Sequence, residues 1–265
     1  MVKKISIVAL ALLLIGGVGS AITFSKANTG LLVSEKKQFS AANIKDVQLE
    51  TENAVVEIIP IKDANAKIEL TGKRNPDYTL DLDADVRGDT LTVKLDQQQR
   101  KWFNFSFVFS SLTLKVYLPE KTYQSMRVTN DNGRVMLGQL PVKKLNVQTN
   151  NGQIDLQDIV SDEVTVQADN GKISVDHVEG ALKGRLSNGS IKVLTRDLDR
   201  PIQLKNNNGS IVIETETEPT NARFEVHKDN GHINILDQYN GNARFGKGEN
   251  LIQLTTNNGK IEVTK

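Results

Sequence analysis

The apolar positions of this chain fall into a repeat anchored on asparagine-glycine pairs. The glycines are Gly133, Gly152, Gly171, Gly189, Gly209, Gly231 and Gly259, so the steps between them are 19, 19, 18, 20, 22 and 28. Two residues after each stands Val135, Ile154, Ile173, Ile191, Ile211, Ile233 or Ile261. Four after stands Leu137, Leu156, Val175, Val193, Ile213, Ile235 or Val263. Five before come Val128, Val147, Val166, Gly184, Leu204, Val226 and Leu254; seven before come Met126, Leu145, Val164, Leu182, Ile202, Phe224 and Ile252. Only Gly184 in these columns is not apolar. A spacing of two within each pair predicts strands with one buried face, and the β-branched majority suits a half-buried pleated surface.

Between the two arms of each unit the sequence predicts a turn. The turns are Asn132-Gly133, Asn151-Gly152, Asn170-Gly171, Asn188-Gly189, Asn208-Gly209, Asn230-Gly231 and Asn258-Gly259. Glycine takes positive φ without steric cost, and asparagine tolerates the left-handed region. The residue before each asparagine is Asp131, Asn150, Asp169, Ser187, Asn207, Asp229 or Asn257, a short side chain able to hydrogen-bond nearby backbone. Asn-Gly between alternating strands also signals β-hairpins, so a meander is one reading. Three features favour a β-solenoid instead. The first four steps differ from one another by two at most. A third apolar site recurs as Leu140, Ile159, Val178 and Leu198, which suggests a third wall. Identical corner amides, one coil apart at roughly 4.8 Å, can form a hydrogen-bonded ladder. The expected fold is all-β: a β-solenoid (parallel β-helix) of roughly 19-residue coils, preceded by a single N-terminal transmembrane helix or signal segment.

Residues 1–27 read as a membrane anchor or signal peptide. Lys3 and Lys4 precede an apolar run from Ile5 to Phe24, long enough as a helix to span the roughly 30 Å hydrocarbon core. The leading lysines favour a cytoplasmic N-terminus and an exported C-terminal domain. A cleaved signal peptide is the alternative, with Ser25-Lys26-Ala27 or Gly19-Ser20-Ala21 as the cleavage site. Residues 28–38 read as a polar spacer, 39–124 as degenerate β coils or a cap, and 125–265 as the Asn-Gly repeat. In the cap, Val47, Leu49, Val56 and Ile58 surround Asn53-Ala54 at the repeat spacing, with alanine in place of glycine. Residues Gln238 to Asn250 read as a loop inserted on the last coil.

Composition narrows the chemistry. The net charge is +1 and no run of five like charges occurs, so nucleic acid is not an implied partner. There is no cysteine, which excludes disulfides, thiolate metal sites and a cysteine nucleophile. His227 and His232 flank the Gly231 corner at positions that do not face one another, and His177 stands alone. Asp131, Asp169 and Asp229 share a column that could offer oxygen ligands to calcium. Asn150 separates the first two by a coil, and turn chemistry accounts for the column without metal. No HExxH, GxSxG or phosphate-binding glycine loop is present. The sequence therefore predicts a non-enzyme without catalytic residues, metal or cofactor. One candidate binding surface stands out: Trp102 followed by Phe103, Phe105, Phe107 and Phe109 on one face of a strand, read either as core or as an exposed apolar platform.

The Leu-Thr-Val-Lys and Leu-Lys-Val-Tyr-Leu-Pro strands, the N-terminal apolar segment and the repeated Asn-Gly-x-Ile-x-Val units resemble the bacterial putative-adhesin family of unknown function. More narrowly, they are similar to LiaG-type envelope proteins of Gram-positive bacteria. The resemblance spans Phe39 to Lys265 and carries no catalytic residues. It implies a β-solenoid at the cell surface and a link to envelope stress. The expected function is a non-catalytic, membrane-anchored extracytoplasmic protein, adhesin-like, that binds a cell-wall polymer or an envelope protein. A lyase-like enzyme acting on polysaccharide and a mechanical scaffold without ligand are the alternatives.

Overall fold

A computed structural model describes residues 30–99 and 110–265. Over these residues the chain is all-β, with fourteen strands and no helix. The first six are β1 (Leu31–Ser40), β2 (Asp46–Ile61), β3 (Asn65–Arg74), β4 (Tyr78–Arg87), β5 (Thr90–Gln99) and β6 (Ser111–Pro119). The coils follow as β7 (Tyr123–Gly138), β8 (Val142–Gln157), β9 (Glu163–Asp176), β10 (Ala181–Thr195) and β11 (Ile202–Thr215). The last three are β12 (Ala222–Ile235), β13 (Ala243–Arg244) and β14 (Asn250–Thr264).

Each Asn-Gly pair lies inside a strand, and the hairpin reading falls. A type I′ hairpin needs positive φ at both central residues. Here Gly133, Gly171, Gly189, Gly209, Gly231 and Gly259 have positive φ, and none of the corner asparagines does. The chain therefore bends and runs on. The bend shifts the burial alternation by one residue: Leu145, Val147 and Thr149 are buried before the corner, Ile154 and Leu156 after it. Both arms thus face one interior. Strands β7 to β10 pair in parallel with their successors, corner on corner: Asn132↔Asn151, Asn151↔Asn170, Asn170↔Asn188 and Asn188↔Asn208. This agrees with the solenoid expectation.

Glycine is required at the corner for two reasons. Gly171 has φ +128°, and a Cβ there would stand 1.9 Å from the Gly152 carbonyl oxygen of the preceding coil. The exception explains itself. Ala54 is in register with Gly133 in the first coil, and on its other side β5 pairs only up to Thr51 and β6 only from Val55. Among the described residues no stacked carbonyl lies beneath Ala54, so a methyl group fits.

The corner amides form a continuous ladder. Asn132 Nδ2 donates to Asn53 Oδ1 at 2.9 Å, and the same bond repeats through Asn151, Asn170, Asn188, Asn208 and Asn258 to Asn230 at 2.8–3.1 Å. Just inside it, Thr51, Asn130, Thr149, Asn206 and Thr256 form a buried, largely polar column. Thr51 Oγ1 donates to Asn130 Oδ1 at 2.8 Å, and Asn130 Nδ2 donates to the Ala54 carbonyl at 3.0 Å.

The expected third wall is absent from the described coils. Leu140, Ile159, Val178 and Leu198 are buried as expected, but they sit in short links between strands. Gln139, Asp158 and His177 open these links with φ near +50°. Their amides bond the next coil at 2.9 Å, through Gln139 N–H to Gln157 O, Asp158 N–H to Asp176 O and His177 N–H to Leu194 O. A tight left-handed turn leaves no length for a strand.

Both ends depart from the repeat. At the N-terminal end the two arms of β2 continue into separate antiparallel ribbons, β5–β4 on one side and β6–β3–β1 on the other. The expected spacer 28–38 contributes most of its length to β1, which pairs with β3 from Leu31↔Arg74 to Ser40↔Asn65. At the C-terminal end the spatial order is β11–β14–β12–β13. The chain skips one slot, and its last strand returns to fill it. Residues 238–249 are therefore the return path, not a loop on a regular coil. One hydrophobic cluster runs the whole array, from Ala41 to Val263.

Candidate functional site

Several sequence-level candidates lie outside the described residues. Trp102, Phe103, Phe105, Phe107 and Phe109 do, and so does the 1–27 segment. No helix among the described residues is long and apolar enough to cross a membrane. Asp131, of the calcium-like column, accepts a hydrogen bond from Asn150 Nδ2 at 2.9 Å. His227 Nε2 lies 3.2 Å from Asp229 on the surface, and His232 is exposed on the other arm of the same corner. The structure does not bring the two histidines together.

The structure does build an unforeseen site around His177. Its Nδ1 lies 2.5 Å from Asp176 and its Nε2 lies 2.8 Å from Glu216, two coils away. The Glu216 and Asp176 carboxylates raise its pKa above the ordinary value. When protonated, the ring donates both N–H groups to these carboxylates and then has no lone pair for a metal or for general-base work. His177 is a bridge between coils. Beside it Arg200 donates to the Gly180 carbonyl at 2.8 Å and to Thr195 Oγ1 at 3.1 Å. Burial lowers the Arg200 pKa, but the guanidinium stays charged at any physiological pH.

The outward rows of the two arms differ in charge pairing. On the arm after the corner, Arg134 pairs with Asp155 at 2.9 Å, Lys192 with Glu214 at 2.8 Å and Lys260 with Glu262 at 2.6 Å. On the arm before the corner, Lys183 pairs with Glu163 at 2.6 Å and Arg223 with Glu225 at 3.2 Å. Arg185 and Lys205 lie between these pairs, exposed and register partners on β10 and β11. Neither has an ion-pair partner among the described residues.

An open groove of 570 Å³ runs across this arm, with Arg185 and Lys205 among its lining residues. Gln167, Gln203, Gln253 and Thr255 flank them. Gln203 Nε2 donates to Gln253 Oε1 and Gln253 Nε2 donates to Glu225 Oε2, both at 3.2 Å, which holds the amides upright across three strands. Asn242, from the return path, accepts from Val226 N–H at 2.8 Å and lines the β12 end. A second hollow of 350 Å³ toward the corner shares Arg185 and Lys205 and adds Asp169. The sequence reading weighed the inward columns and the corner aspartates but not the outward rows of the arms. The outward column four before each glycine, which holds Gln148, Gln167, Arg185 and Lys205, was the available signal.

A family model described as Toastrack DUF4097 matches residues 44–181 and 135–264. The chain belongs to the Toastrack DUF4097 family. The two matches overlap from the end of β7 through β9 and together take in β2 and every later strand, so the family reaches into the region ahead of the Asn-Gly repeat. Among solved structures the chain is similar to a "putative cell adhesion protein" from Clostridium sporogenes, at 14% identity over 88% of this chain and 99% of that one, with a TM-score of 0.42. It is similar to a "putative adhesin" from Bacteroides fragilis, at 14% identity over 87% and 97%, TM-score 0.38. A "putative lipid binding protein" from Parabacteroides distasonis aligns at 17% identity over 89% and 98%, TM-score 0.40. No curated protein matches the chain.

Proposed function

We propose that this Toastrack protein is a non-catalytic, membrane-anchored extracytoplasmic β-repeat protein, adhesin-like, that presents a solenoid wall to an envelope component. The observation that carries this reading is the long pair of in-register arms with polar outward rows, a surface suited to extended partners. The His177 cluster, the most enzyme-like grouping, has both ring nitrogens engaged. Lys3, Lys4 and the Ile5–Phe24 run support an anchor with the N-terminus in the cytoplasm. The Asn-Gly-x-Ile-x-Val resemblance supports a LiaG-like role tied to envelope stress.

Two measurements test this. A membrane-impermeant thiol reagent should label the Ser210→Cys variant in intact cells, and the full-length chain should stay in the membrane fraction after an alkaline wash. Labelling only after lysis refutes the export reading. Full-length protein incubated with wall polysaccharide and calcium should release no new chain ends; their appearance would install the lyase-like alternative.

A further inference from the structure

We infer that the groove on the arm before the corner binds a phosphate group of a hydroxyl-rich polymer, clamped between Arg185 and Lys205. This deepens the wall-binding reading and rests on it. The two residues are register partners on adjacent parallel strands, a separation of roughly 4.8 Å at the backbone. At that spacing one anionic group lies within reach of both charged heads. Glu163 and Arg223 settle the neighbouring charges Lys183 and Glu225, which leaves two like charges side by side. An anion between them converts that repulsion into attraction. The planar fork of Arg185 takes two phosphate oxygens while Lys205 supplies a point charge to a third.

The rest of the groove speaks for hydroxyl groups. Gln167, Gln203, Gln253 and Thr255 offer both donors and acceptors, and no Phe, Tyr or Trp is among its described lining residues. The one ring among the described lining residues is the imidazole of His227, in register two strands from Lys205, so no ring stands beside the cationic pair to stack sugars or bases, which favours a polyol chain over a polymer of rings. Asp169 borders the hollow on the corner side and repels an anion there, so the phosphate position is confined to the Arg185–Lys205 pair. The volume of 570 Å³ falls within the range of small-molecule pockets and accommodates a few polymer units. Nucleic acid binding draws on many phosphate contacts or stacked bases; one cationic pair without such stacking partners does not supply these.

The test uses the full chain in detergent micelles with labelled polyglycerol phosphate as probe, read by fluorescence polarisation. Wild type should bind, and Arg185→Gln/Lys205→Gln should weaken binding at least about tenfold, the loss expected for a charge-assisted contact, with an unchanged melting temperature. Lys192→Gln/Lys260→Gln on the other arm should leave affinity unchanged. Failure of wild type to bind, equal binding by the groove variant, or tighter binding of polygalacturonate or single-stranded DNA would each overturn the inference. Cross-linking in intact cells separates the two levels. If the groove variant captures the same envelope component as wild type, the groove is wrong and the wall-binding reading stands. If wild type captures nothing, both are wrong.

Discussion

The coils β7 to β11 and the C-terminal end use the same corner, but only the former stack in chain order. From Gly133 to Gly209 the step between corners is nearly constant, and each strand pairs with the next. From Gly209 to Gly231 the step is two residues longer than the one before it, and β12 lands one slot too far. Two added residues supply roughly 6.6 Å of extended chain, more than the roughly 4.8 Å of one strand spacing. The return from Gly231 to Gly259 is longer still, and β14 then pairs with β11 on one side and β12 on the other. The lesson is a separation of roles. The corner fixes register, since Asn208, Asn258 and Asn230 remain in one ladder, while the spacing between corners changes with the order: the links before β11 and β12 are equal in length, and the two extra residues, Ala222 and Arg223, extend β12 ahead of its corner.

Matched substitutions in the two regions sharpen this contrast. Ile173 is fully buried in a central coil, and Ile173→Asp should cost more than about 4 kcal/mol by burying an unpaired charge. Ile233, on the outermost long strand, is 5% exposed, so Ile233→Asp should cost less and fray β12 first. Denaturant unfolding with hydrogen exchange reads both, and equal costs would erase the distinction. Gly171→Ala should cost about 3 kcal/mol, from backbone strain plus the clash with Gly152 O. Gly231→Ala should cost less because an edge strand can shift outward. Ala54→Gly should stay within about 1 kcal/mol, since no described residue stacks beneath it.

The ladder supplies a smaller effect. Asn151→Ala removes two exposed amide bonds and Asn230→Ala removes one, for losses of about 1 and about 0.5 kcal/mol in thermal melting. The smallest effect is pH-dependent. His177 has a raised folded pKa, so its bridge stabilises fully below the ordinary histidine value near 6.5 and is lost as pH rises through the raised value. His177→Asn keeps a residue that tolerates the left-handed φ of 49°. The melting-temperature gap between wild type and this variant should be wider at pH 6 than at pH 9; a gap independent of pH would remove the charge from the explanation.

The inward columns carried most of what could be read ahead of the structure, because burial imposes a strict period and the period is local. Asn53-Ala54 announced the first coil for the same reason. Strand order at the C-terminal end was hidden, since two extra residues between corners accompany a change of topology without altering any column. The buried Thr51–Asn130 pair was equally hidden, because a polar residue three before the glycine reads as solvated turn chemistry. The groove was partly visible: Arg185 and Lys205 share an outward column, but only the ion pairs of their neighbours show that they stand without carboxylates.

Strand order can be tested directly because the chain has no cysteine. Ser210 is the register partner of Lys260, and Lys260 of His232. Neighbouring parallel strands place Cα atoms within disulfide reach, and two strand spacings do not. Oxidation should therefore close Ser210→Cys/Lys260→Cys and Lys260→Cys/His232→Cys, and leave Ser210→Cys/His232→Cys open. Ready closure of Ser210→Cys/His232→Cys with no closure of Ser210→Cys/Lys260→Cys would put the coils back in chain order and contradict the interleaved stack.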